Sequence, residues 1–308
     1  PEIQSVKILL QERMPEEVVI TKEEKEKVEK MKPVDYDAYS ERTYLTCNPN
    51  RNLSNTIANQ AYTIVTNQTG TGYSKYKDIQ INRYQETDEE NQGIFFYLKN
   101  EKRKKTWSSA ILPQIALPDK VKITFFPDGD KWMRTDGNLE TTLRIGIDPS
   151  EPIEIRRLEV TNHGTQTETL EVTGFFEPIL STAKQDQAHK AFNNLFLRYQ
   201  YQEEMETLVL ERKARQESEA SVKLAAMLFT EAPCIGKLEF EIDKEKFFGR
   251  GNLGIPRAVQ ESKALESQVG YTVDPIVAMK RMVTIEPEKT VCLDFVIYTE
   301  ESSAFRLE

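Results

Sequence analysis

The sequence predicts an all-β fold, a large antiparallel β-sandwich, and three observations carry that prediction. Apolar and polar residues alternate with period two. Val121, Ile123 and Phe125 stand against Lys120, Lys122 and Thr124, and Leu139, Thr141, Leu143, Ile145 and Ile147 against Glu140, Thr142, Arg144 and Asp148. That is the period of a half-buried strand. Polar turn signals punctuate the runs at Asp128-Gly129, Asp136-Gly137, Asn162-His163-Gly164 and Glu286-Pro287-Glu288. Many strands at short spacing joined by such turns indicate a sandwich or barrel and not a βαβ sheet.

Taken in order, residues 1–32 differ from the rest, mixing short apolar runs with dense alternating charge. Thr21 followed by Glu24 has capping-box spacing, so a charged, solvated helix over about 22–31 is expected. Residues 33–55 read as an extended stretch strewn with turn residues. The expected division is therefore a partly helical linker over 1–55 and a sandwich domain over 56–308. Ile153 and Ile155 alternate in one phase and Leu158 and Val160 in the other, which predicts a bulge near Arg156-Arg157. Further strands are expected around Leu170–Val172, Leu238–Ile242, Met279–Ile285 and Val291–Ile297. The stretch "AKQDQAHKAFNNLF", 183–196, interrupts the pattern and is expected to carry a helical turn. Glu101–Lys105 reads as a solvated hairpin loop.

Composition narrows the function. There are 41 basic against 50 acidic residues, a net charge of −9, which argues against a nucleic-acid binder because phosphate neutralisation needs a basic face. Cys47, Cys234 and Cys292 are far apart and odd in number, so they form no disulfide framework and fit a reducing compartment. Cys292 lies in a strand-like run and is expected to be buried and inert. Two histidines, His163 and His189, are too few for a His-rich metal site. No cofactor is implied. The N-terminus has no basic region followed by an apolar core, and no apolar stretch reaches the roughly 18 residues of a membrane span, so a cytoplasmic location is expected. The chain begins at Pro1 without Met, which fits a segment of a longer protein.

One stretch concentrates candidate chemistry: "TNQTGTGYSKYKDIQINRY", residues 66–84. Gly70-Thr71-Gly72 is half of a GxG pattern, but no Gly-Lys-Ser/Thr and no helix follow, so the phosphate-loop reading fails. The plain reading is a glycine-containing loop between strands Tyr62–Val65 and Ile79–Arg83. The sharper reading is a carbohydrate contact, in which aromatic rings meet flat C–H faces and polar groups meet hydroxyls. Tyr73, Ser74, Tyr76, Asp78 and Arg83 have the right chemistry, and Trp107 joins them as a candidate stacking ring. Trp132 is read alike, with core packing as the default for both indoles. Glu177 in "GFFEPIL" is flanked by apolar residues, which points to partial burial and an upward pKa shift. The alternative is an acid satisfied by an Arg. His189 has no nucleophile pattern beside it, and no Ser/His/Asp arrangement stands out.

Several segments together resemble one family in the same order: "GTGYSKYKDIQINRY", "GIFFYLKN…TWSS", "TDGNLETTLRIGIDPSEPIEIRRLEVTNHG", "HKAFNNLF" and "FFGRGNLGIPRAVQ…VDPIVAMKRMVTI". They resemble the β-sandwich domain that precedes the catalytic barrel in glycoside hydrolase family 94. The likeness is strongest to the cyclic β-1,2-glucan synthases and β-1,2-oligoglucan phosphorylases, and it covers about residues 55–308. The resemblance implies a β-supersandwich of the galactose mutarotase-like kind, with no catalysis of its own. It also implies an (α/α)6 catalytic barrel following in the parent chain, β-1,2-glucan as the ligand, and a homodimer contact or a loop lent to an active site. The parent would be a synthase, anchored in the inner membrane, or a phosphorylase. Two alternatives stay open: a purely structural or dimerisation domain, and a mutarotase-like epimerase working through His189 and Glu177. The sequence departs from the family where Tyr76 stands in place of a common Trp and Lys190 in place of a common Pro. The first exchange keeps an aromatic face; the second leaves the 186–196 geometry open.

Overall fold

Among the described residues there are nineteen strands, and in many of them burial alternates along the chain and decides which face turns to the core. A computed structural model describes residues 41–47, 53–84, 92–113, 116–214, 221–250 and 255–307. The helix expected over 22–31 lies outside them. The strands form three sheets with every pairing antiparallel. The nine-stranded sheet runs, in spatial order, through β1 (Arg42–Tyr44), β8 (Lys120–Phe125), β9 (Asp130–Asp136), β10 (Leu139–Ile147), β11 (Ile153–Asn162), β19 (Thr290–Glu301), β16 (Val222–Phe229), β15 (Thr207–Arg212) and β14 (Leu197–Gln202). A second sheet has the order β17 (Glu239–Asp243), β18 (Pro275–Ile285), β12 (Glu168–Phe176), β6 (Phe95–Asn100) and β7 (Lys105–Ser108). A third has the order β13 (Pro178–Ser181), β5 (Ile79–Asn82), β4 (Gly72–Tyr76), β3 (Tyr62–Asn67) and β2 (Ser54–Ala58). The expected all-β supersandwich is the fold observed. β1 falls inside the stretch read as a linker, yet it pairs with β8 along Arg42–Tyr44.

One apolar core joins the three sheets. Ile64 and Ile81 enter it from the third sheet, Phe96, Leu98, Leu170 and Val172 from the second, and Leu158, Val160, Leu293, Phe295 and Ile297 from the nine-stranded one. Phe295 is a hinge point of this packing. Its ring meets Phe96 edge-on at 5.9 Å and Phe176 at 6.0 Å. Gly174 of β12 is small because that ring is there: a Cβ added to it would stand 3.0 Å from Phe295.

The second sheet is covered on both faces. Phe95, Tyr97 and Phe175 point away from the main core into a second cluster. There they meet Phe247 and Phe248 of helix α3 (Lys244–Phe248) and Ala258 and Val259 of helix α4 (Arg257–Gln260). Phe175 and Phe247 stack at 5.5 Å with ring planes 9° apart. Double coverage explains why "FFYLKN" of β6 is buried at every position and shows no alternation.

The bulge expected near Arg156-Arg157 is absent. β11 keeps unbroken register with β10 and with β19 from one end to the other. Leu158 and Val160 set the inward phase, so Ile155 turns outward and Glu154 and Arg156 turn inward. The conflict of phases is resolved by burying an ion pair in place of an isoleucine. The interruption at 183–196 folds as expected into two short helices, α1 (Ala183–Ala188) and α2 (Lys190–Asn194). Thr182 and Gln185 form a capping box at the start of α1. Glu101–Lys104 makes the turn between β6 and β7, as the charge run suggests.

Replacing Gly174 by Ala forces the Phe295 ring off its present position, and overpacking of this kind costs about 1–3 kcal/mol. Urea unfolding of Gly174→Ala is expected to show that loss with an unchanged m-value.

Candidate functional site

The 66–84 stretch is a pair of hairpins, not one loop between two strands. An extra strand, β4, stands between β3 and β5. Asn67 closes the first turn: its Oδ1 accepts from the Thr69 N–H at 2.9 Å and the Thr71 N–H at 3.2 Å, and its Nδ2 donates to Thr71 Oγ1 at 2.5 Å. Gly70 has φ +87°, and at Gly72 (φ +148°) a Cβ would stand 2.0 Å from the Val65 carbonyl oxygen. Both glycines therefore serve chain geometry.

The six candidate contacts separate. Tyr73 and Lys75 share the outer face of β4, half-buried, and Tyr73 lies 5.5 Å from the ring of Tyr84. Asp78 is exposed in the β4–β5 turn. Ser74 and Tyr76 face inward and are buried. Ser74 Oγ donates to Glu154 Oε2 at 2.5 Å, and Tyr76 Oη donates to Glu300 Oε1. Burial, and then that bond, raise the Tyr76 pKa. Arg83 is buried in an ionic cluster. Trp107 is buried, its Nε1 donating to Thr141 Oγ1 at 3.4 Å, and Trp132 is buried with its Nε1 3.1 Å from the Gln68 carbonyl oxygen. Both indoles are core residues, so their faces offer no sugar platform on this surface. Tyr73 and Asp78 are the two of the six that reach solvent.

Two polar networks tie the third sheet to the nine-stranded one. Glu154, wholly buried, accepts from Tyr62 Oη at 2.9 Å, from Ser74 Oγ, and from Arg156 Nε at 2.5 Å. Arg156 Nη1 continues to the Ile94 carbonyl at 2.9 Å. Asp130 is the second node, accepting from Thr66 Oγ1 at 2.5 Å and Asn55 Nδ2 at 2.8 Å. Burial pushes its carboxyl up to about 6 even though those two donors oppose the shift.

The third cluster surrounds the α1–α2 excursion. Arg83 Nε and Nη2 grip Asp186 at 2.9 and 2.7 Å, Nη2 also reaches Asn194 Oδ1 at 3.0 Å, and Nη1 reaches Glu177 Oε2 at 3.0 Å. Lys244 Nζ holds Glu177 Oε1 at 2.7 Å. Asn193 Nδ2 donates to Asp186 Oδ1 at 3.2 Å, and Asn194 Nδ2 to the Val273 carbonyl at 3.1 Å. Both helices are thereby fastened to the β12–β13 connection and to the 271–274 segment. Glu177 does not shift upward as its apolar neighbours suggest. Burial pushes its pKa up, but Lys244 and Arg83 outweigh burial, and the net effect is a lowered value. The alternative reading, an acid satisfied by Arg, is the one observed. His189 joins α1 to α2 and is exposed. Above the cluster Leu195, Tyr271 and Val273 are largely exposed, with Lys213 Nζ 5.9 Å from the Tyr271 ring.

Sequence reasoning missed Glu154, Asp130, Asp186 and Lys244. The Glu154 signal was present as the phase conflict in β11; Asp130 and Asp186 carry no local signature among 50 acidic residues, nor does Lys244 among 41 basic ones. Cys292 is exposed, not buried as expected, because its position in β19 points outward; Cys234 is exposed and Cys47 half-buried. Partial burial, then Glu159 across the strand pair, raise the Cys292 thiol. Among the described residues no group of three or more His, Cys, Asp or Glu could hold a metal ion, and no helix is long and apolar enough to cross a membrane.

Two outcomes test these networks. Arg83→Ala leaves Asp186 and Glu177 without their shared cation and is expected to destabilise by about 3–5 kcal/mol in chemical denaturation. Asp130 carries the opposite sign of pH dependence from a paired acid. Its folded pKa lies above the unfolded one, so native stability falls as pH rises from about 4 to 6 and the loss is complete above that range. Unfolding midpoints measured across this window are expected to lose that slope in Asp130→Asn.

The profile of the glycosyl hydrolase 94 supersandwich domain matches residues 37–306. A curated relative, the cyclic beta-(1,2)-glucan synthase NdvB of Rhizobium meliloti (strain 1021), is 25% identical over 299 residues, which cover 96% of this chain and 10% of the relative. The chain thus spans about a tenth of that protein's length. Among solved structures, a protein described as a kojibiose phosphorylase from the human microbiome aligns with TM-score 0.49 and 7% identity, over 88% of this chain and 33% of its own. One described as an aldose 1-epimerase from Escherichia coli K12 aligns with TM-score 0.44 and 10% identity, over 80% of this chain and 99% of its own. With the family profile covering all but the first 36 and last two residues, the chain belongs to the supersandwich-domain family of glycosyl hydrolase 94.

Proposed function

We propose that this chain is a non-catalytic, carbohydrate-associated domain of a β-1,2-glucan-active enzyme, a cyclic β-1,2-glucan synthase or a phosphorylase. It supports an (α/α)6 catalytic barrel of the same parent chain on the cytoplasmic side. The observation that carries this reading is the clamped α1–α2 excursion. A buried arginine, two carboxylates, a lysine and two asparagines hold five- and six-residue helices that would not be stable alone. Leu195, Tyr271 and Val273 are presented beside them as an apolar rim suited to docking. The family match and the glucan synthase among its relatives supply the substrate class.

Direct glucan contact falls to Tyr73 and Asp78, the candidates that reach solvent. A purely structural or dimerisation role is the second reading, and the burial of Ser74, Tyr76, Arg83 and Trp107 favours it. The epimerase reading is disfavoured by chemistry. A general base works best with a pKa near the operating pH, and Glu177 is held low by two cations.

Isothermal titration of the chain with β-1,2-glucooligosaccharides, alone and joined to its barrel, tests the proposal. The expected result is tighter glucan binding by the joined protein, weakened by Leu195→Asp or Val273→Asp through loss of docking. Anomer interconversion by the chain, abolished by Glu177→Gln, would overturn the accessory role.

A further inference from the structure

A cleft of about 820 Å³ opens on the outward side of the nine-stranded sheet, and neither the sequence candidates nor the clamped excursion touches it. Its floor is one cross-strand row. Arg157 of β11, Asp294 of β19 and Phe229 of β16 are successive register partners, so their side chains emerge on the same face. Arg157 and Asp294 form a two-bonded fork, Nε to Oδ1 at 2.8 Å and Nη2 to Oδ2 at 2.7 Å. Phe229 is 48% exposed and enters no ring pair among the described residues.

The walls are fixed before any ligand arrives. On one side the 230–233 crossover is fastened by Thr230 Oγ1 to the Cys292 carbonyl at 2.6 Å and by the Thr284 N–H to the Pro233 carbonyl at 3.2 Å. On the other, the β18–β19 turn is held by Asn162, which accepts from the Glu288 N–H at 2.8 Å and donates its own N–H to the Lys289 carbonyl at 3.0 Å. The volume lies within the usual range for small-molecule sites. Its charges are mixed, Arg157 and Lys289 against Asp294, Glu231 and Glu286, which disfavours a phosphate or other anion and suits a neutral polyhydroxylated ligand.

We infer that this cleft is a glucan-binding site, separate from the Tyr73 surface. Adjacent strands lie about 4.8 Å apart, so the Phe229 ring and the carboxylate–guanidinium fork stand about one pyranose ring apart. The phenyl face packs on the sugar's C–H face. The fork accepts from one hydroxyl through Asp294 and donates to its neighbour through a free N–H of Arg157, a pattern that a vicinal diol satisfies. That the sugar is a glucan rests on the function proposed above; the position of the cleft does not.

The test is calorimetric titration of the 308-residue chain with β-1,2-glucooligosaccharides, combined with iodoacetamide alkylation of Cys292, which is exposed in the cleft. Saturable binding is expected, weakened about three- to tenfold by Phe229→Ala and at least as much by Asp294→Ala. Bound glucan is expected to slow alkylation of Cys292 and leave Cys234 unaffected. Both substitutions lie on the outer face, and circular dichroism checks that they fold. Loss of binding in Tyr73→Ala with Phe229→Ala silent overturns the cleft and leaves the accessory role standing. A chain that binds no glucan, with Cys292 unprotected, overturns the cleft as well, whereas failure of the joined protein to bind more tightly than the chain bears on the accessory role alone.

Discussion

The Glu154 carboxylate is the constraint around which the sandwich is organised. It sits wholly buried on β11, the strand at the centre of the nine-stranded sheet, and receives hydroxyls from β3 and β4 of the third sheet. A carboxylate in a low-dielectric interior is tolerated only if its lone pairs are filled, and here Tyr62, Ser74 and Arg156 fill them. Those partners fix how the third sheet sits on the large one. They also fix the phase of β11, because a slip of one residue would drive Ile155 inward and turn the pair out to water. Register, sheet packing and the outward direction of Arg157 all follow from one buried ion pair.

Much of the fold was legible because its strands are half-buried. Period-two runs such as 139–147 appear as β10 with nine residues, the turn signals at 128–129 and 286–288 fall between strands, and the signal at 162–164 begins on the last residue of β11. Legibility failed where burial was not one-sided. β6 is enclosed on both faces and shows no alternation, and β11 buries charge where the pattern leads one to expect an isoleucine. β4 was hidden because "GYSKY" is polar, its inward positions being a serine and a tyrosine that satisfy carboxylates. Residue type correctly marked 66–84 as unusual, but the chemistry there is structural for most of its members.

The same logic separates the two sides of the molecule that bear on function. Around α1 and α2, the buried charges of Arg83, Asp186, Glu177 and Lys244 are paired with one another, and their effect is rigidity: Arg83 is a fastener for a segment with too few residues to fold by itself. On the outer sheet face the Arg157–Asp294 fork is only partly covered and still has donors and lone pairs to offer. Paired charge in the interior builds the platform, and paired charge at the surface reads a ligand. Residue types alone do not distinguish the two, since each is an arginine beside an acid.

The double enclosure of the second sheet has a mechanical consequence. β12 and β18 lie inside that sheet, between the main core on one face and the Phe95–Phe175–Phe247 cluster on the other. Their amides have no low-energy route to solvent short of global unfolding, so they form the slowest-exchanging unit of the chain. A slab of that kind does not flex between its edges. A force applied at one edge of that sheet is therefore passed to the other edge as displacement of the sheet as a unit, and not as bending.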